Sequence, residues 1–211
     1  MFKGIKNILV LAPHTDDGEL GCGGTIAKFI EDGSKVHYAA FSTAEESVPE
    51  GLPKDILKIE VREATVALGI PAASLFVFDY EVRKLSYSRQ SILEDLIKLR
   101  NKLNPDLVLM PSRNDIHQDH STIAEEGLRA FKYNTILGYE LLWNNLQFNT
   151  QCFIRLKKRH LQCKVDALAA YGSQKGKNYM SRNFIFSLAK TRGVQIGTDF
   201  AECFEVVRWV L

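Results

Sequence analysis

The feature that most restricts the fold is a pair of uninterrupted apolar runs, NILVLA at residues 7–12 and LVLM at residues 107–110, each stopped by a proline, Pro13 and Pro111. Runs without polar alternation are the pattern of strands covered on both faces, as in a parallel sheet between two helical layers. Neighbouring segments keep the rhythm. Strands are predicted at 35–41 and 75–78, and helices at 21–31, 54–68, about 91–103 and 121–131. Gly33 closes the first helix, Pro53 and Gly69 bracket the second, and Ser88 or Ser91 opens the third, which Asn104-Pro105 ends. Four strand–helix pairs in succession specify an α/β fold with a mostly parallel sheet.

Right-handed crossovers then give a doubly wound, Rossmann-like three-layer α/β/α arrangement with strand order 3-2-1-4-5. After Tyr133 the rhythm changes: 136–142, 152–156 and 204–210 read as strands, 160–170 and 179–191 as helices. A length of 211 residues fits one domain, with a core at about 1–133 and a C-terminal α+β extension at about 134–211 that caps the site. Lys and Arg total 27 against 25 for Asp and Glu, a net charge of +2 that argues for neither a nucleic-acid nor a membrane partner. With no cationic leader and no apolar stretch approaching about 18 residues, the expected location is cytoplasmic. Cys22, Cys152, Cys163 and Cys203 form no CxxC pair, so they are expected to be reduced, mostly buried, and not zinc ligands.

Two clusters carry the chemistry: His14-Thr15-Asp16-Asp17 and His117-Gln118-Asp119-His120, about a hundred residues apart. Each follows one of the two apolar runs. In the order 3-2-1-4-5 those strands are neighbours, and ligands bind beyond the carboxyl ends of strands where the winding reverses. A shared site is therefore expected. Two histidines and an aspartate can supply the roughly three protein ligands of a catalytic zinc, leaving acidic groups for proton transfer. Either of Asp16 and Asp17 could bind metal while the other faces the water. Likewise one histidine of the second cluster could ligate while the other, held by Asp119, donates to an oxyanion as the imidazolium.

Helix capping by Asp16, Asp17 or Asp119 is the plainer reading of each aspartate, but one cap needs neither a second aspartate nor a histidine. His37, inside a strand, reads as a packed residue, and His160, in a Lys157-Lys158-Arg159 run, as a solvated one. Gly21-Cys22-Gly23-Gly24 is not GxGxxG and reads as helix packing by small residues.

Leu-Ala-Pro-His-Thr-Asp-Asp resembles the first motif of the LmbE-like (PIG-L) zinc-dependent N-deacetylases, usually His-Pro-Asp-Asp-Glu, and His117-Gln-Asp-His120 resembles their second. The likeness extends to Pro105-Asp-Leu-Val-Leu, Asn114-Asp115, the Arg62-Glu63 helix, Tyr171-Gly-Ser-Gln, Arg192-Gly193 and Ala201-Glu202. The resemblance implies that His14, Asp17 and His120 bind Zn2+, that Asp16 is the general base, and that His117 stabilises the oxyanion with Asp119 orienting it. It also implies that Arg62 contacts substrate.

The reaction so implied is removal of an acetyl group from an N-acetyl amino sugar or conjugate, with specificity set by residues 43–53 and 143–145. Thr15 replaces the usual proline, and Gly18 stands where glutamate is usual, with Glu19 one place later. Another divalent ion and a homo-oligomer stay open. The competing reading is a non-catalytic Rossmann-like sugar-nucleotide-binding protein.

Overall fold

In the computed structural model, which describes residues 4–210, the first apolar run becomes β1 (Asn7–His14), parallel to β2 (Lys35–Ser42) on one side and to β4 (Leu107–Pro111) on the other. Its side chains alternate between two cores. Ile8, Val10 and Ala12 face one, Leu9 and Leu11 the other, which is why no polar residue interrupts the run. Of the N-terminal stretch 1–7 that bears on a leader, residues 1–3 lie outside the described residues, as does residue 211.

One layer consists of α1 (Asp17–Glu31), α2 (Ile56–Ala67), α5 (Lys158–Ala169) and α6 (Arg182–Val194), which supply Ile26, Val61, Leu161 and Ile185 to the first core. The opposite layer is α3 (Arg89–Leu103) and α4 (Gln118–Ala130), contributing Ile92, Leu96 and Ile123 to the second. With β3 (Leu75–Val77), β5 (Thr135–Tyr139), β6 (Cys152–Leu156) and β7 (Phe200–Arg208) the sheet runs β3-β2-β1-β4-β5-β7-β6. The expected order holds for the first five strands, all parallel. What differs is the C-terminal part: β7 and β6 continue the same sheet, antiparallel, beyond β5.

Several boundaries shift for identifiable reasons. α1 begins at Asp17, four residues before Gly21, and kinks at Cys22 (φ −145°, ψ 22°). Gly21 admits the ring of Tyr139 so closely that a Cβ would lie 2.2 Å from it. Beyond the kink the Glu202 carboxylate accepts from the amides of Gly24 (3.1 Å) and Thr25 (2.6 Å), while Lys164 of α5 donates to it at 2.7 Å. Glu202 is thus a buried cap for the second half of α1, delivered from a strand that starts at Phe200, four residues earlier than expected. The last helix begins at Arg182 because the Ser181 hydroxyl accepts from Phe184 N.

His160, read as solvated, is buried: Lys157 N donates to its Nδ1, and its Nε2 lies 3.1 Å from Glu31. His37 is packed in β2 as expected. All four cysteines are free, Cys22 and Cys203 buried and Cys152 and Cys163 half-buried. No helix among the described residues is long and apolar enough to cross a membrane.

Removing Glu202 strands a buried ammonium and uncaps α1. Glu202→Ala should cost about 3–5 kcal/mol, which for a chain of this size lowers Tm by roughly 6–20 °C in thermal unfolding. In native protein, Cys22 and Cys203 should resist a thiol reagent that labels all four cysteines after denaturation.

Candidate metal and catalytic site

β1 and β4 end side by side, and each gives way to a helix almost at once, so both clusters sit on short connections at the same edge of the sheet. His14 is the last residue of β1, and Asp17 the first of α1. His117 caps α4, its Nδ1 accepting from Asp119 N at 3.2 Å, which places Asp119 and His120 in the first turn.

Three side-chain atoms form a near-equilateral triangle. His14 Nδ1 lies 3.1 Å from Asp17 Oδ2, His120 Nε2 lies 3.2 Å from the same oxygen, and the two nitrogens are 3.3 Å apart. A tetrahedral zinc with ligand bonds of about 2.0–2.1 Å separates its ligand atoms by about 3.3 Å, so these residues fit such an ion. The outer nitrogen of each ring meets a buried carboxylate: His14 Nε2 is 2.9 Å from Asp119 Oδ2, and His120 Nδ1 is 2.8 Å from Asp115 Oδ2. These contacts place the ring protons outward and turn the inner lone pairs into the triangle, the usual support of a metal-binding histidine. His14, His117 and His120 also offer nitrogens within 4.8 Å of one another.

Asp119 therefore orients His14, not His117. The reason is the helix: with Asp119 N bonded to His117, its carboxylate points back across to β1, where it also accepts from the amides of Arg83 (2.6 Å) and Leu85 (3.3 Å). Asp115, to which sequence reasoning gave no role, holds His120 and also accepts from His117 N at 2.8 Å. Its signal was present, a carboxylate two residues before His117.

The electrostatics favour a cation. Burial lowers the affinity of His14 and His120 for a proton, but the charge of Asp17 and the bonds to Asp119 and Asp115 outweigh it, raising them to about 9 and about 10. Burial pushes Asp17 up, yet the charges of His120 and His14 hold it well below the usual carboxylate range. A divalent ion would take the place of those protons. Asp16 is raised to about 6, first by burial and then by the Asp17 charge. His117 is lowered by burial and by the neighbouring histidines. Because its Nδ1 accepts, the proton of the neutral ring sits on Nε2, so it can donate without being the imidazolium expected from sequence.

Beneath the first cluster, the phenols of Tyr38 and Tyr171 reach the carbonyl of Thr15 (2.9 and 2.7 Å) and flank the fully buried Glu19 carboxylate. Burial raises Glu19 to about 8. The Gly18 amide donates to the Tyr38 oxygen, and a Cβ there would lie 2.5 Å from the Tyr38 ring. Glutamate has no room at position 18 with this tyrosine in place.

A cavity of about 290 Å³ opens over the triangle, lined by His14, Asp16, Asp17, His117 and His120 on its floor. Both loops expected to bear on specificity contribute, through Ala44 and Ser47 and through Trp143 and Asn144. Arg83 and Lys177 also line it, neither anticipated from sequence. Arg62 does not. It is exposed on α2 and lines a separate cleft with Lys58, Leu75 and Val77, because its turn of the helix faces β3 and not the strand ends.

A curated relative, the uncharacterized deacetylase YaiS of Escherichia coli strain K12, is 29% identical over 174 residues, 80% of this chain and 91% of that protein. The diacetylchitobiose deacetylase of Thermococcus kodakarensis is 28% identical over 141 residues, 63% of this chain and 51% of that protein. Among solved structures, N,N'-diacetylchitobiose deacetylase from Pyrococcus horikoshii superposes with a TM-score of 0.81 at 22% identity, covering 98% of this chain and 85% of that one. Residues 9–131, which carry both clusters, match the family described as PIG-L: GlcNAc-PI de-N-acetylase, and the chain belongs to that LmbE-like family.

Proposed function

We propose that the chain is a zinc-dependent hydrolase that removes the acetyl group from an N-acetylated amino sugar or sugar conjugate, releasing acetate and a free amine. The observation that carries this reading is the triangle of His14, Asp17 and His120, each histidine backed by a carboxylate, at the floor of an open cavity. The deacetylase activity named for its relatives supports it. The continuous seven-stranded sheet favours reading residues 1–211 as one domain.

A divalent ion bound in the triangle supplies Lewis-acid polarisation of the amide carbonyl and lowers the pKa of an attacking water. Asp16 lines the same cavity without joining the triangle, and its raised pKa of about 6 suits a group that takes the proton of the water and returns it to the departing amine. The breaking C–N bond then leaves a neutral amine. His117, with its Nε2–H, donates to the oxygen that gains charge as water adds to the carbonyl. Asp119 and Asp115 touch no substrate; they fix the orientation of His14 and His120.

Metal analysis should give about one zinc per chain, and acetate release from N-acetyl amino sugars should disappear on chelation and return with zinc. Asp16→Asn should lower turnover by about 10²–10⁴ with zinc retained. His117→Ala should lower it by about 10²–10³, also with zinc retained; loss of zinc in this variant together with retention in Asp17→Asn would replace Asp17 by His117 in the ligand set.

Asp115→Asn and Asp119→Asn should each weaken zinc binding by about 10–100-fold in a competition titration with a chromogenic chelator. Unchanged affinity in both would remove them from the support of the metal. Stoichiometric zinc without acetate release from any N-acetyl sugar conjugate would instead favour a binding protein.

A further inference from the structure

The mouth of the cavity carries an aromatic surface that the proposed reaction does not use. Trp143 stacks on Tyr179 with ring centroids 4.1 Å apart and planes 17° from parallel, and Phe184 touches it at 6.2 Å, tilted by 55°. Both Trp143 and Tyr179 line the cavity. A stack this close covers one face of the indole, yet Trp143 remains 38% exposed. The floor is different: His120 and Asp119 are buried.

The platform is also held rigidly, and against the second cluster. Trp143 lies in a turn after β5 in which Asn144 N and Asn145 N both donate to Leu141 O, and the Asn145 side chain accepts from Leu141 N at 2.8 Å. That turn pairs with the loop leading to His117: Ile116 N donates to Asn144 O at 3.2 Å, and Asp115 and Asn145 form a bridge. An indole fixed on both its backbone and one ring face loses little freedom when a ligand covers the other face. In the same turn and the loop paired with it, Leu142, Ile116 and Leu146 are exposed, Leu146 to 80%.

We propose that Trp143, backed by Tyr179, is the platform of an outer subsite that stacks a second sugar ring, attached to the N-acetylated sugar whose acetamide lies on the histidine floor. The polarised C–H bonds on the apolar face of a pyranose complement the negative face of an indole. Adding that contact to a substrate already anchored below lengthens the preferred ligand from one ring to two. The cavity is at the small end for a ligand site, about 300 Å³ being the usual lower bound, so a second ring must lie over the rim. The inference rests on the deacetylase reading for which end of the ligand enters first.

The zinc-loaded full chain tests it with N-acetylglucosamine and N,N'-diacetylchitobiose as probes. Wild type is expected to show a higher kcat/KM for the two-ring probe, and Trp143→Ala to reduce the two-ring to one-ring ratio at least tenfold through KM. Tenfold corresponds to about 1.4 kcal/mol, the size of one aromatic stack. Trp143→Phe, which keeps a ring on Tyr179, should retain most of the preference, separating stacking from mere support of the turn.

Binding is read independently from the fluorescence of Trp143 alone in Asp16→Asn/Trp209→Phe protein, where diacetylchitobiose should cause a saturable shift. An unchanged ratio in Trp143→Ala together with no shift overturns the subsite. Should wild type release acetate from neither probe, the fluorescence titration with diacetylchitobiose decides the subsite in either direction, and the deacetylase reading is tested separately with the other N-acetyl sugar conjugates.

Discussion

Three buried carboxylates crowded at the ends of two adjacent strands set the terms for this site. Asp17, Asp115 and Asp119 are each at most about 5% exposed, and burying a carboxylate without compensation is prohibitively costly. Backbone amides answer part of that demand: His14 N donates to Asp17, His117 N to Asp115, and Arg83 N and Leu85 N to Asp119. Arg83 adopts a left-handed backbone (φ 66°) where its amide meets Asp119, a conformation costing about 1–3 kcal/mol outside glycine. The two imidazoles supply the rest. What remains is two imidazole nitrogens and a carboxylate oxygen converging on one point, a set of donors that fits a divalent cation.

The fold delivers those groups by adjacency. Parallel neighbours end at the same edge, so two connections a hundred residues apart in sequence become opposite walls of one cleft. The C-terminal strands then brace the arrangement from behind. Tyr139 of β5 donates to Leu11 O near the end of β1, and Tyr171, just after α5, reaches Thr15 O. The added antiparallel pair β7 and β6 brings Glu202 under the kink of α1, tying the helix that begins at Asp17 to the far edge of the sheet.

Much of this was legible in the chain because it depends on local pattern. Uninterrupted apolar runs announced central strands, and their order followed from crossover handedness, so the meeting of the His14 and His117 clusters was legible in the chain, while the choice of His120 as the partner of His14 came from the resemblance. The partnership of each carboxylate was not legible. Asp119 turned from His117 to His14 because the cap of α4 uses its own backbone amide, a detail of one helical turn. Asp115 was hidden for the same reason, its role depending on which way a loop residue faces. Arg62, to which the resemblance gives a substrate contact, lies on a separate cleft beside β3, because a shared motif does not fix which neighbour an exposed helix position overlooks. Glu202 escaped because a charge inside a strand reads as an interruption unless its buried partner Lys164, 38 residues away, is known.

The contact between Gly18 and Tyr38 limits how this motif can be redesigned. The acidic group stands at Glu19, between two phenols, and the Tyr38 ring fills the space that a side chain at position 18 would need. Introducing glutamate at 18 therefore calls for a smaller residue at 38, which would leave the Thr15 carbonyl and Glu19 with the hydroxyl of Tyr171 in place of two. Positions 18 and 38 behave as one unit, and an exchange at 18 alone would strain the turn that carries Asp16 and Asp17.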